Sequence, residues 1–189
     1  MLGVGCALLL CACSEQSEEE EYDEMQRNED WAGIVEKDRQ QPTQSLACHK
    51  VVRLAQYRLG VAPPGSVYVC LADSREVLAS PVAAMMMSDM YIQLGMVNMS
   101  QRAAFESMVK ETDMKQCGRA LRRLTETAII TRQYEVARKY IAIMDANGLH
   151  RDWARSMLRI VEHPELISEE PVYLQLRKTY DETEDQFFM

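Results

Sequence analysis

Sulfur, imidazole and carboxylate side chains are the groups through which this chain could do chemistry, and their spacing narrows the choice. The chain has six cysteines and three histidines, His49, His150 and His163. Structural zinc takes four N or S ligands, usually as two closely spaced pairs. Cys48 and His49 are adjacent, no second pair accompanies them, and the other two histidines stand apart. No metal site is expected. Met85, Met86, Met87, Met90, Met96 and Met99 offer soft thioethers of the kind that bind Cu(I). Consecutive positions on a helix point around it rather than at one ion, so these methionines are expected in a core or on a pliable contact surface. No glycine-rich phosphate loop, G-x-S-x-G or H-E-x-x-H occurs. An enzyme reading is left with scattered acid–base groups such as Glu126 and Asp152, and no cofactor is implied.

Cys13 has the most informative surroundings. Residues Leu2 to Ala12 are apolar or small, densest at Leu8-Leu9-Leu10. That is the length of a signal-peptide apolar region and too short to cross a bilayer. The segment Leu10-Cys11-Ala12-Cys13 resembles the lipobox of bacterial lipoproteins. The resemblance implies that residues 1–12 are removed and that Cys13 begins the mature protein, carrying acyl chains that hold it to a membrane. Cys11 fits the modified position less well, because Leu10 before it is not small. The basic residues that ordinarily precede such a stretch are missing, which leaves a start upstream of Met1 open. Residues 13–29, rich in glutamate, are expected to be a flexible acidic tether, since like charges this dense repel and stay extended. Ser14 and the acidic run behind Cys13 also resemble lipoprotein sorting signals. They point to the cell envelope and its outer membrane, with exposure on the outward face left open.

Charge placement separates tether from domain. From Cys13 to Asp30 nine acidic residues stand against Arg27 alone, which accounts for the whole net charge of -8; the remainder is neutral. A neutral domain makes no basic footprint, so no nucleic-acid partner is expected. Once the leader is removed and Cys13 acylated, Cys48, Cys70 and Cys117 remain. Three buried apolar thiols and a Cys48–Cys70 bridge with one thiol left over are both consistent with that count.

Residues 30–180 read as helical. Asp30 is placed to cap a first helix with Trp31, Ile34 and Val35 on one side. A second runs from Thr43 or Ser45 to Leu59, ended by Gly60, with a stripe of Leu46, Ala47, Val51, Leu54, Ala55 and Leu59. The segment from Val61 to Leu71 is a loop or a short strand-like excursion. Ser80-Pro81 supplies a cap and a first-turn proline for a third helix. Ala84, Met87, Ser88, Tyr91, Gly95, Val97, Ser100, Ala104 and Ser107 align with Leu121, Leu124, Thr125, Ala128, Arg132, Tyr134, Ala137, Ile141 and Met144 at a constant offset of 37 residues. That spacing of small and large positions resembles the tetratricopeptide repeat, although Arg132 replaces the turn glycine and Leu149 stands where a proline often follows. The resemblance implies an all-α fold: antiparallel helical hairpins stacked as a short TPR-like α-solenoid. An irregular helical bundle stays open. Small residues at Ser88 and Ser100 would let paired helices approach closely. A helix from His150 to Val161 follows, and another begins at Ser168-Glu169-Glu170-Pro171 with Val172, Leu174, Leu176 and Tyr180. Residues 181–189 form an acidic tail.

Segments Val52-Arg53-Leu54-Ala55, Tyr91-Ile92-Gln93-Leu94-Gly95, Tyr134 to Tyr140 and Arg151-Asp152-Trp153-Ala154 also resemble the C-terminal part of a domain-of-unknown-function family of bacterial membrane-attached proteins. The expectation is a membrane-anchored, non-catalytic module whose concave face binds a protein or peptide, through a groove with Tyr91, Arg102, Tyr134 and Arg138. An accessory subunit of an envelope transport or polysaccharide-handling assembly is the alternative, with an enzyme behind it.

Overall fold

In the computed structural model, residues 18–63, 65–67 and 78–183 are described, and among them every regular element is helical. Cys13, Cys70, the leader and residues 184–189 lie outside the described residues. The chain divides into two compact units, Met1–Met87 and Ser88–Met189.

In the first unit, α1 covers residues 18–27, α2 Trp31–Gln40 and α3 Leu46–Arg58; the boundary falls inside α4, Pro81–Gln93. Residues 18–27, expected in a flexible tether, thus form a helix. The reason lies in spacing: Glu19, Tyr22, Asp23 and Gln26 recur at helical intervals, and all four are buried. Gln26 Nε2 donates to the Met86 carbonyl at 3.1 Å. Lys37 pairs with Glu21 at 2.8 Å and lies 5.6 Å from the Tyr22 ring centre. Glutamates on the remaining faces stay solvated. Asp30 caps α2 as expected, accepting from the Gly33 amide at 2.9 Å. A Cβ on Gly33 would fall 2.2 Å from that carboxylate, so the cap requires glycine there.

Helix α3 ends at Gly60 in the left-handed region, φ +71. Its buried face is Ala47, Cys48, Val51, Val52, Leu54 and Ala55. Leu46 and Leu59, expected on that stripe, are exposed; each sits at a helix end, where the 3.6-residue period has rotated past the core. Val67 is buried in a short helical segment at 65–67. Burial, the nearby Glu18 charge adding to it, pushes the Cys48 thiol up to about 12 despite hydrogen bonds with Ser45 and Thr43. In the reduced protein Cys48 is therefore expected to resist maleimide at neutral pH and to label only on unfolding. Labelling of the native protein at the rate of an exposed thiol would refute this.

The second unit continues α4 and adds α5 Val97–Lys110, α6 Gly118–Ile130, α7 Tyr134–Ala146, α8 Arg151–Glu162, a 3-10 segment Pro164–Glu169 and α9 Pro171–Thr183. Each of α5 to α8 packs on its neighbour in sequence, so antiparallel helical hairpins stack as a repeat fold. Where α4 meets α5, Ser88 and Ser100 are fully buried and exchange hydrogen bonds. Each hydroxyl donates to the other residue's carbonyl at 2.9 Å. Thirty-seven positions on, Thr125 donates instead to Leu121 O at 2.8 Å, and the position matching Ser100 is the buried Ala137. The methionines Met85, Met86, Met87, Met90 and Met99 are buried, as core packing required.

The turn glycine and its replacement are equivalent in backbone too. Gly95 has φ +78 and Arg132 φ +63. Arginine holds this strained conformation while its guanidinium makes two hydrogen bonds of 2.7 Å to Asp181. Arg132→Gly removes roughly 1 kcal/mol of left-handed strain. The pair it deletes is about half exposed at both ends and weakly stabilising. Urea unfolding is expected to show a net gain of up to about 1 kcal/mol; a clear loss would mean the pair outweighs the strain.

The C-terminal helices depart from expectation in phase. After α8 the chain makes the 3-10 segment, and α9 turns Tyr173, Leu176 and Tyr180 inward while Val172 and Leu174 are exposed. Starting the helix at Pro171 sets that rotation. Asp181, Glu182 and Thr183, assigned to a tail, are the last turn of α9.

Candidate functional site

Helix α6 is buried on most of its circumference, by Leu121, Leu124, Thr125, Ala128, Ile129 and Ile130 among others. One strip stays polar. Arg119, Arg122, Arg123 and Glu126 recur at intervals that place them on a single face. Asp89, near the C-terminal end of α4, accepts from Arg119 and from Arg123 at 2.8 Å. Arg123 also donates to Glu126 at 2.8 Å. Arg122 is bound less firmly: its closest Glu126 oxygen is 4.0 Å away, and its guanidinium lies 4.6 Å from the Trp153 ring centre. The three arginines thus gather around Asp89 and Glu126, and the Nε of Arg123 is buried without a hydrogen-bond partner among the described residues.

Two adjoining cavities open on this strip. A polar one of about 290 Å³ is lined by Asp89, the three arginines, Glu126 and His150. A more apolar one of about 570 Å³ shares Arg123 and Glu126 with it and continues over Ile92, Ile130, Val172 and Leu176. Tyr173 stands at the junction. Its hydroxyl donates to Glu126 Oε1 at 3.1 Å. Burial first, then the Glu126 charge, holds the phenol well above its usual range, so it remains a donor. The result is a trough, cationic at one end and apolar at the other.

The model of a family of unknown function, DUF6057, matches residues 3–189. The chain belongs to that family. No curated protein and no solved structure matches it. Family membership agrees with the resemblance seen in the sequence and assigns no activity.

The four groove residues expected from the sequence are dispersed in this DUF6057 chain. Tyr91 is 2% exposed and belongs to the core, so it is not open to a ligand. Tyr134 is half-buried, and its hydroxyl accepts from Arg177 at 3.1 Å. Arg102 is exposed on α5. Arg138 on α7 pairs with Glu162 at 3.6 Å and lines a separate cavity of about 390 Å³ with Ile141 and Leu158. Glu126 sits in the trough, whereas Asp152 is fully exposed beside Arg155. The arginine strip was visible as spacing. The domain's overall neutrality gives no sign of this local clustering of arginines.

Proposed function

We propose that this chain is a lipid-anchored, non-catalytic binding protein of the cell envelope. Its helical repeat takes a protein or peptide segment in which a carboxylate lies close to an apolar side chain. One observation carries the reading: the arginine strip of α6, gathered around Asp89 and Glu126, runs straight into an apolar cavity. Guanidiniums offer forked donors matched to carboxylates, and apolar lining supplies affinity without demanding catalysis. The lipobox-like Leu10–Cys13 segment supports anchoring, which keeps the trough at a membrane and raises the local concentration of partners there.

Selection from a displayed peptide library tests the binding half. Sequences with an acidic residue near an aliphatic or aromatic one are expected to enrich on the native chain and to be lost on Arg119→Gln/Arg122→Gln. Enrichment that ignores both arginines would overturn the site. Metabolic acyl labelling tests the anchor: the label is expected on the native protein and absent from Cys13→Ala, and an unlabelled native protein removes the membrane from the account.

A further inference from the structure

With Cys13 as the acylated residue, the length of chain before the first helix restricts how the first unit stands on a membrane. Residues 14–17 alone separate Cys13 from α1, which is already helical at Glu18. Whatever path they take, five Cα-to-Cα steps reach at most about 18 Å. The chain available between anchor and fold is thus far shorter than the tether expected over residues 13–29, because α1 is docked by its buried face.

Hydrogen bonds fix what lies at that end of the unit. Glu19 accepts from Ser45 at 2.9 Å and from Ser80, so the starts of α1, α3 and α4 meet within one side chain's reach. Lys37, late in α2, pairs with Glu21 in the first turn of α1 at 2.8 Å, which brings the end of α2 there as well. The linker from α2 to α3 crosses the same end, with Gln41, Pro42, Gln44 and Leu46 exposed. Opposite lie the turn between α1 and α2, where Asn28 is exposed, and the end of α3, where Leu59 and Val61 are exposed. The lengths of α1 and α3 set the two ends about 15–20 Å apart.

We infer that the end of the first unit formed by the starts of α1, α3 and α4 is held against lipid headgroups by this short leash. The inference rests on the anchoring reading above and adds the face that anchoring presents to the bilayer. For the opposite end to touch headgroups instead, Glu18 would stand about 15 Å or more off the surface, with the leash drawn almost straight. A straight chain is confined to few conformations, so entropy opposes that arrangement. The near-end arrangement leaves the leash slack. Charge does not supply the contact: Glu20 and Glu21 are exposed at the near end, and Arg39 in the last turn of α2 is engaged by Glu36 at 2.7 Å. The leash, rather than attraction to anionic lipid, therefore sets the orientation. On apolar exposure alone the rival contact is the far corner with Leu59 and Val61, and experiment separates the two ends.

The sample is the acylated full chain in phosphatidylcholine vesicles that include a lipid with a nitroxide on its headgroup. A fluorescent amino acid replaces Gln41 or Gln44 at the near end, and Asn28 or Val61 at the far end. All four positions are exposed, and circular dichroism checks that each chain is folded. Quenching at the near positions is expected to exceed that at the far positions by at least about twofold, given the helix lengths between them. Inserting about twenty glycine and serine residues between Ser17 and Glu18 lengthens the average span to about 25–30 Å, and the difference is expected to vanish. Cys13→Ala, which has no acyl chain, is expected to lose quenching at every position. Equal quenching at both ends of an acylated chain overturns the inference while the anchor stands. Stronger quenching at the far end does so in favour of the Leu59 and Val61 corner. Quenching in Cys13→Ala, or a near-end preference that survives the insertion, also overturns it, since the face would then hold lipid without the leash. A native chain without acyl label removes the anchor and this inference together.

Discussion

Replacement of Glu19 by alanine is expected to destabilise the first unit by about 2–4 kcal/mol, measured by urea unfolding. Glu19 projects from α1 between the starts of two other helices. The Ser45 hydroxyl, at the residue preceding α3, donates to its Oε1 at 2.9 Å. The Ser80 hydroxyl donates to Oε2 while itself accepting from the Ala83 amide at 2.9 Å at the start of α4. One carboxylate therefore faces two helix N-termini, where unpaired amides favour negative charge. The side chain is buried, so its loss leaves a buried serine hydroxyl unsatisfied and removes the charge that both ends face. Glu19→Gln keeps the shape and one acceptor and is expected to cost roughly half as much. Hydrogen exchange adds a local readout: amides in the first turn of α3 should lose protection before those of α6. A change below about 0.5 kcal/mol in Glu19→Ala, the size of an ordinary surface substitution, would show that the residue is solvated after all.

Glu19 also marks where reading the sequence reached its limit. The density of glutamates before Asp30 describes composition, and composition predicts an extended tether. What decides between tether and helix is which glutamates share a face with Tyr22 and Gln26, and what waits to receive them. Ser45 and Ser80 lie 26 and 61 residues away, so nothing near Glu19 announces them. The same limit governs the trough. Caps were legible at Asp30, Gly60 and Ser80-Pro81 because their chemistry is local. The repeat was legible because Gly95 and Arg132 hold equivalent places in equivalent turns. The pairing of α9 with α6 is a contact across 47 residues, and its rotation depends on starting at Pro171, so Val172 and Leu174 drew attention that belonged to Tyr173. Arg119, Arg122 and Arg123 could be seen on one helix face, but Asp89, which gathers two of them, comes from another helix.

Ser88→Leu is expected to cost about 3–5 kcal/mol, since it combines two penalties at a buried contact between α4 and α5. The first is steric. Both serines are fully buried with their hydroxyl oxygens 3.1 Å apart, so added carbons force the helices to separate. The second is polar: the Ser100 carbonyl loses the hydroxyl that donates to it inside the core, and a lost buried hydrogen bond adds to the cost. The second repeat supplies the control. There Thr125 returns its hydroxyl to the carbonyl of Leu121 in its own helix, and the position matching Ser100 is Ala137, buried with no hydroxyl to pair. The double variant Ser88→Thr/Ser100→Ala copies that solution, and it leaves neither residue with an unpaired donor. It is expected to stay within about 1 kcal/mol of the native protein, because volume and hydrogen-bond balance are both kept. Helical equivalence at an offset of 37 residues thereby becomes an energetic claim. If the double variant proves as damaging as Ser88→Leu, the two hairpins share spacing without sharing packing, and the repeat is one of pattern alone.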